Sequence, residues 1–218
     1  MSFSKNEMNL MGSTNAHWGV CGFTSTFYAM YALNPAKRPL LLGAGIATKV
    51  LAEIKTYLMM LKAEGNIGLL NEIEEFTRSF GVVNRADFRT FAIDEYIQLI
   101  NESVEKTEDK ITGNPYYSIG MPPLAVADYL RRIWGCDSEI SAIKGGSGGS
   151  SNGIIGVKSK TRGMTLYDGL CHYLYRYENK IYSWGSKFSS LSDVNRKQNK
   201  DYQVCRLIKI KLQTSPTR

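Results

Sequence analysis

The chain has 218 residues, 43% apolar and 22% charged, which excludes a globally disordered protein and allows a sizeable buried core. Its 27 basic against 20 acidic residues leave a net charge of +7. The excess gathers late, from Lys158, Lys160 and Arg162 to Arg206, Lys209 and Lys211, with no zinc-finger, homeodomain or RNA-binding signature. A solvated basic face is expected, and nucleic acid is not expected as a partner.

No apolar run approaches the length of a membrane span. Met1 to Asn15 lacks a charged flank followed by an apolar stretch, so synthesis in the cytoplasm is expected, with any export into a host or target cell using a specialised system. Cys21, Cys136, Cys171 and Cys205 are widely spaced, with no C-x-x-C pair. They are expected as free thiols, and no metal or cofactor is expected.

In chain order, Gly22 to Leu33 reads as an amphipathic helix with Phe23, Phe27 and Met30 or Tyr31 at helical spacing, stopped by Asn34-Pro35. Ile46 to Ala63 carries Val50, Ile54, Leu58 and Leu61 on one stripe, closed by Gly65. A third helix bears Leu69, Ile73, Phe76 and Phe80 before Gly81, and a fourth spans Ile93 to Lys106 with Ile97, Ile100 and Val104 inward. Pro122-Pro123 opens a fifth, through Leu130 and Trp134, with proline in the first turn where its missing N–H does no harm.

After Gly135 short β-branched and aromatic runs predict strands at Ile154–Val157, Met164–Tyr167, Leu170–Tyr177, Lys180–Trp184 and Tyr202–Leu212. Glu178-Asn179 reads as a tight hairpin turn, and Gly145 to Gly153 as a flexible Gly/Ser loop. The expected fold class is α+β. A helical lobe covers 1–136 and an antiparallel β lobe 137–218, within one domain overall.

Two residues carry the candidate chemistry. Cys21 heads a helix, where backbone N–H groups and the helix dipole favour a thiolate, and Gly19 and Gly22 flank it so that the backbone can approach a substrate. Taken alone, it also fits a small apolar residue starting a core helix. A thiol nucleophile needs a base, and the chain has two histidines. His17 lies in the entry loop before Cys21, and His172 starts a strand in Cys171-His-Tyr-Leu-Tyr-Arg-Tyr.

This arrangement resembles the papain-like cysteine peptidases. Asn15 stands six residues before Cys21 where that family has an oxyanion-binding Gln. Gly19-Val-Cys21-Gly-Phe-Thr-Ser25 is similar to the nucleophile element, and Tyr182-Ser183-Trp184-Gly185 to the element that orients and shields the histidine. The resemblance implies a papain-like fold with Cys21 in the helical lobe and His172 in the β lobe. It also implies Asn15 in the oxyanion hole, and Trp184 and Ser183 beside the base. The family's orienting Asn is replaced by Tyr182; the Tyr182 hydroxyl, Ser183, a backbone carbonyl, Asp168 or Asp193 are alternatives, as is a dyad.

Small divergent papain-like proteins of this kind resemble bacterial effectors or toxins. The function so implied is a thiol protease acting on a protein or peptide, through acyl transfer to Cys21. The alternatives are a glutamine deamidase or transglutaminase on the same fold, and a non-catalytic protein-binding module.

Overall fold

A computed structural model describes residues 19–33, 45–83, 85–144, 151–161 and 163–211. The architecture is α+β. Helices α1 (Cys21–Leu33), α2 (Ile46–Ala63), α3 (Ile67–Arg78), α4 (Ile93–Asn101), α5 (Glu108–Thr112) and α6 (Pro123–Trp134) come first, interrupted by a two-stranded hairpin of β1 (Val82–Val83) and β2 (Ala86–Asp87). Then come β3 (Asp137–Ala142), β4 (Gly153–Ser159), β5 (Leu170–Tyr177), β6 (Lys180–Ser183), β7 (Ser186–Phe188), helix α7 (Leu191–Gln198) and β8 (Tyr202–Lys211). The six strands β3 to β8 form one antiparallel sheet in the order β3-β8-β4-β5-β6-β7.

The predicted bounds of α2 and α6 match those observed, because each has a one-sided apolar stripe and a definite end. Helix α6 begins with Pro123 after the Pro122 N-cap and stops at Gly135, whose φ of 65° only glycine adopts without strain. Helix α1 differs from expectation. Residues Gly22 to Tyr31 are all buried, so it is a core helix covered on every side rather than an amphipathic one. Its polar side chains turn back on the helix, Thr26 Oγ1 donating to the Phe23 carbonyl at 2.7 Å.

The fourth helix is shorter than its pattern suggested. It ends at Asn101, the chain continues as turns, and Val104 is 75% exposed. Phe80 likewise lies beyond the end of α3, packed on Phe76. The strand predicted at Met164–Tyr167 is instead an irregular segment and a turn. Tyr167, Asp168 and Gly169 all have positive φ, which a strand cannot accommodate. Tyr167 there donates to Glu72 of α3 and packs edge-on against Phe76, tying the sheet to the helices.

The sheet separates two apolar clusters. The larger holds α1, α2, α6 and, from the sheet, Ile154, Leu170, Tyr173, Tyr175, Tyr182, Cys205 and Ile208. The smaller, on the other face, gathers Ile155, Val157, Cys171, Leu174, Ile181, Phe188 and Val194. One core therefore joins the halves expected at 1–136 and 137–218. The Asn34-Pro35 stop, Gly145 to Ser150 of the Gly/Ser loop, and Leu212 lie outside the described residues. No helix among the described residues is long and apolar enough to cross a membrane.

The start of α1 is fitted against the segment 118–121. A Cβ built on Gly22 would sit 2.6 Å from the Cβ of Met121. That atom is fixed to the backbone and cannot rotate away. Gly22 thus serves a contact within the protein, not the approach of a substrate. Gly22→Ala is expected to destabilise the fold by about 1–3 kcal/mol through overpacking, read as a lower denaturant midpoint with an unchanged slope.

Candidate active site

Cys21 and His172 line one cavity of about 490 Å³ at the junction of helices and sheet. The cavity wall is built from the first turn of α1, the segment 118–121, the end of α3, the β1–β2 hairpin, the start of β5, the β6–β7 turn and the chain entering β8. Gly120 N–H donates to Thr77 Oγ1 of α3 at 2.9 Å, and the Tyr173 hydroxyl donates to the Met121 carbonyl at 3.0 Å. Together these bonds fix the floor beside Cys21.

A β-bulge aims the histidine. Val157 pairs with His172 and Lys158 with Leu170, so Cys171 is the extra residue and the side-chain alternation of β5 resets there. His172 then shares a face with Leu174 and Val157, while Tyr173 faces the larger core. The residue is 9% exposed, and its ring lies parallel to Trp184 with centroids 4.4 Å apart and an interplanar angle of 2°. Tyr202 adds a third nearly parallel ring at 5.8 Å.

Ser183, one of the orienting groups the sequence left open, stands beside the imidazole. Ser183 Oγ lies 3.2 Å from His172 Nε2 and is buried. Tyr182, one residue earlier, faces the opposite side and packs on Tyr28 and Tyr175. Asp168 is taken by Arg206, and Asp193 by Arg196, Lys197 and the Ser189 N–H. Strand alternation carries the distinction: in a hairpin only every second residue can reach the site.

Trp184 reaches His172 through an unusual backbone. Ser183 pairs with Ser186, leaving Trp184-Gly185 as a two-residue turn with φ of 46° and 68°. Positive φ at both positions is the geometry of a type I′ turn, normally filled by Asn or Gly, and a bulky aromatic there is strained by on the order of 1–3 kcal/mol. The turn is held from the other side, where Gly185 N–H donates to the Tyr28 hydroxyl of α1 at 3.0 Å. The strand expected at Lys180–Trp184 thus stops at Ser183, while Glu178-Asn179 forms the expected tight turn, also with positive φ at both residues.

The thiol is not the anion that its helix position suggested. Cys21 keeps part of its surface open, but protein surrounds the sulfur and burial pushes the thiol up to about 11. Backbone N–H groups of Tyr173, Gly22 and Cys21 itself pull the other way, and neighbouring Cys171 adds to the rise. Burial wins because the charged form has lost its water. None of the four cysteines is in a disulfide.

Asn15 and His17 lie outside the described residues. Sequence reasoning did not single out Ser118, Gln198, Lys200 or Tyr202, which also line the cavity; Ser118 and Lys200 lie between elements, Gln198 ends α7 and Tyr202 begins β8, and none belongs to a motif. Among the described residues no group of three His, Cys, Asp or Glu side chains could hold a metal ion. No protein-family model, curated protein or solved structure matches the chain.

With a thiol near 11, its thiolate fraction at pH 7 is on the order of one part in ten thousand. Cys21 alkylation by iodoacetamide should therefore keep rising through pH 9 and 10. A plateau from pH 6 upward would instead reveal a thiolate–imidazolium pair.

Proposed function

We propose that the protein is a cysteine hydrolase of papain-like arrangement acting on a protein or peptide, a thiol protease in its simplest form. One observation carries this reading. A helix-heading cysteine and a strand-borne histidine line one cavity, with the imidazole stacked on Trp184 and hydrogen-bonded at Nε2 to Ser183. A ring held on two sides keeps its orientation, as a base must if it is to meet one proton.

The mechanism follows from the thiol's protonated state. As a substrate carbonyl arrives, His172 takes the Cys21 proton while the sulfur attacks, rather than beforehand. The Tyr173 and Gly22 N–H groups directed at the sulfur stabilise it as its proton leaves. His172 then passes the proton to the leaving amine, and water, activated by the same imidazole, hydrolyses the thioester. Ser183 holds the ring and Trp184 shields it. Asn15, six residues before Cys21, is assigned to the oxyanion together with the Cys21 N–H.

A second reading, a non-catalytic protein-binding module, is favoured by one observation: the thiol's resting proton affinity is that of a buried structural cysteine. The two readings part on mutants. For a hydrolase, Cys21→Ala and His172→Ala each abolish turnover of an unfolded protein such as casein while circular dichroism and melting stay near wild type. Asn15→Ala lowers kcat/KM by about 2–4 kcal/mol of transition-state stabilisation. Activity surviving in Cys21→Ala overturns the covalent mechanism.

A further inference from the structure

The cleft has two chemically distinct walls. On the helical side Phe76, Phe80, Val83 and Phe88 present an apolar surface. On the sheet side, next to His172 and Tyr202, stand Gln198 and Lys200. Among the described residues the lining contains no Asp or Glu, so Lys200 brings a positive charge that no carboxylate among them offsets.

Lys200 differs from its basic neighbours. Arg196 and Lys197 of α7 both pair with Asp193, whereas Lys200 has no acidic partner among the described residues. Its backbone is nonetheless firmly set. Helix α7 ends at Asn199 in the left-handed conformation, and Lys200 N–H donates to the Asn195 carbonyl at 2.9 Å. The Asn195 side chain donates to the Tyr202 carbonyl and accepts from its N–H, both at 3.0 Å. The chain bearing Lys200 is thus clamped between α7 and β8 at the rim of the cavity.

We propose that Lys200 is a specificity-determining residue that selects an acidic polypeptide segment, the substrate's carboxylate side chain meeting its ammonium while an apolar neighbour lies against Phe76, Phe80 and Phe88. This rests on the acyl-transfer reading of Cys21 and His172. A single sign of charge at the cleft raises the local concentration of anionic groups, an attraction that weakens as salt is added because Lys200 is exposed.

The test compares Cys21 modification by iodoacetate, an anion, and iodoacetamide, its neutral counterpart, at pH 9 in wild type, Lys200→Ala and Lys200→Glu. In parallel, a C-terminally amidated peptide library, whose only carboxylates are side chains, is digested and the products sequenced. The iodoacetate-to-iodoacetamide rate ratio should fall about fivefold in Lys200→Glu, and less in Lys200→Ala, the ratio cancelling any change in thiolate fraction common to both reagents. Acidic residues enriched near the cleaved bond by wild type should lose that enrichment in Lys200→Glu. An unchanged ratio and cleavage pattern overturns the role of Lys200 and leaves the hydrolase standing. A shifted ratio without any cleavage supports anion recognition and removes the hydrolase. Failure of both reagents to reach Cys21 overturns both.

Discussion

Burial of α1 on every side is the constraint from which the site's geometry follows. The helix is seated between the sheet and helices α2 and α6, with ten consecutive residues, Gly22 to Tyr31, out of solvent. No solvent face remains along which it could slide or rotate. Phe23 packs edge-on against Tyr57 and Tyr129, Tyr28 fastens the β6–β7 turn, and Gly22 meets Met121. The position of Cys21 relative to β5 is therefore set by packing over the whole length of the helix, not by bonds at the site. Close packing of this kind transmits small errors, so a methyl group at Gly22 acts on the site as much as on stability.

The same burial sets the chemistry of the sulfur. Packing that fixes Cys21 also removes water from it, and the loss of hydration outweighs three favourable N–H groups. A resting thiol is unreactive toward ordinary oxidants and electrophiles, and becomes a nucleophile only when a base is in place to receive its proton. In the proposed mechanism His172 is that base, and its ring is held by an unequal pair of restraints, a hydroxyl at Nε2 and an indole over its face. The strained turn at Trp184 is stable because both its flanks are anchored: β6 and β7 pair across it, and Tyr28 binds Gly185.

Much of this was readable from residues alone, and the failures have physical causes. Helices α2 and α6 and the β5–β6 hairpin carry strong local signals: one-sided apolar stripes, prolines at a first turn, a pair of turn residues. Strand β3, Asp-Ser-Glu-Ile-Ser-Ala, gave no such signal because it is an edge strand, alternately exposed, with Glu139 reaching Lys211 across the ladder. Helix α7 buries only Asp193 and Val194, so it has no stripe to detect; its one legible mark was Ser190-x-x-Asp193, where Ser190 Oγ accepts the Asp193 N–H and Asp193 accepts that of Ser189. The bulge at Cys171 and the outward turn of Ser183 depend on pairing with β4 and β7. No periodicity within β5 or β6 encodes them, which is why the residues alone do not separate Ser183 from the other candidates.

The central claim is that Cys21 forms a covalent acyl intermediate resolved by His172. Reaction with p-nitrophenyl acetate, followed by stopped-flow absorbance and by mass spectrometry of the quenched protein, addresses it without knowledge of the natural substrate. The account predicts a burst of nitrophenolate, an acetyl group on Cys21 in the wild type, and an acetyl-thioester that persists longer when an already acylated His172→Ala variant is left to hydrolyse. Acetylation spread over lysines with Cys21 unmodified, or loss of the thioester at the same rate with and without His172, would contradict it.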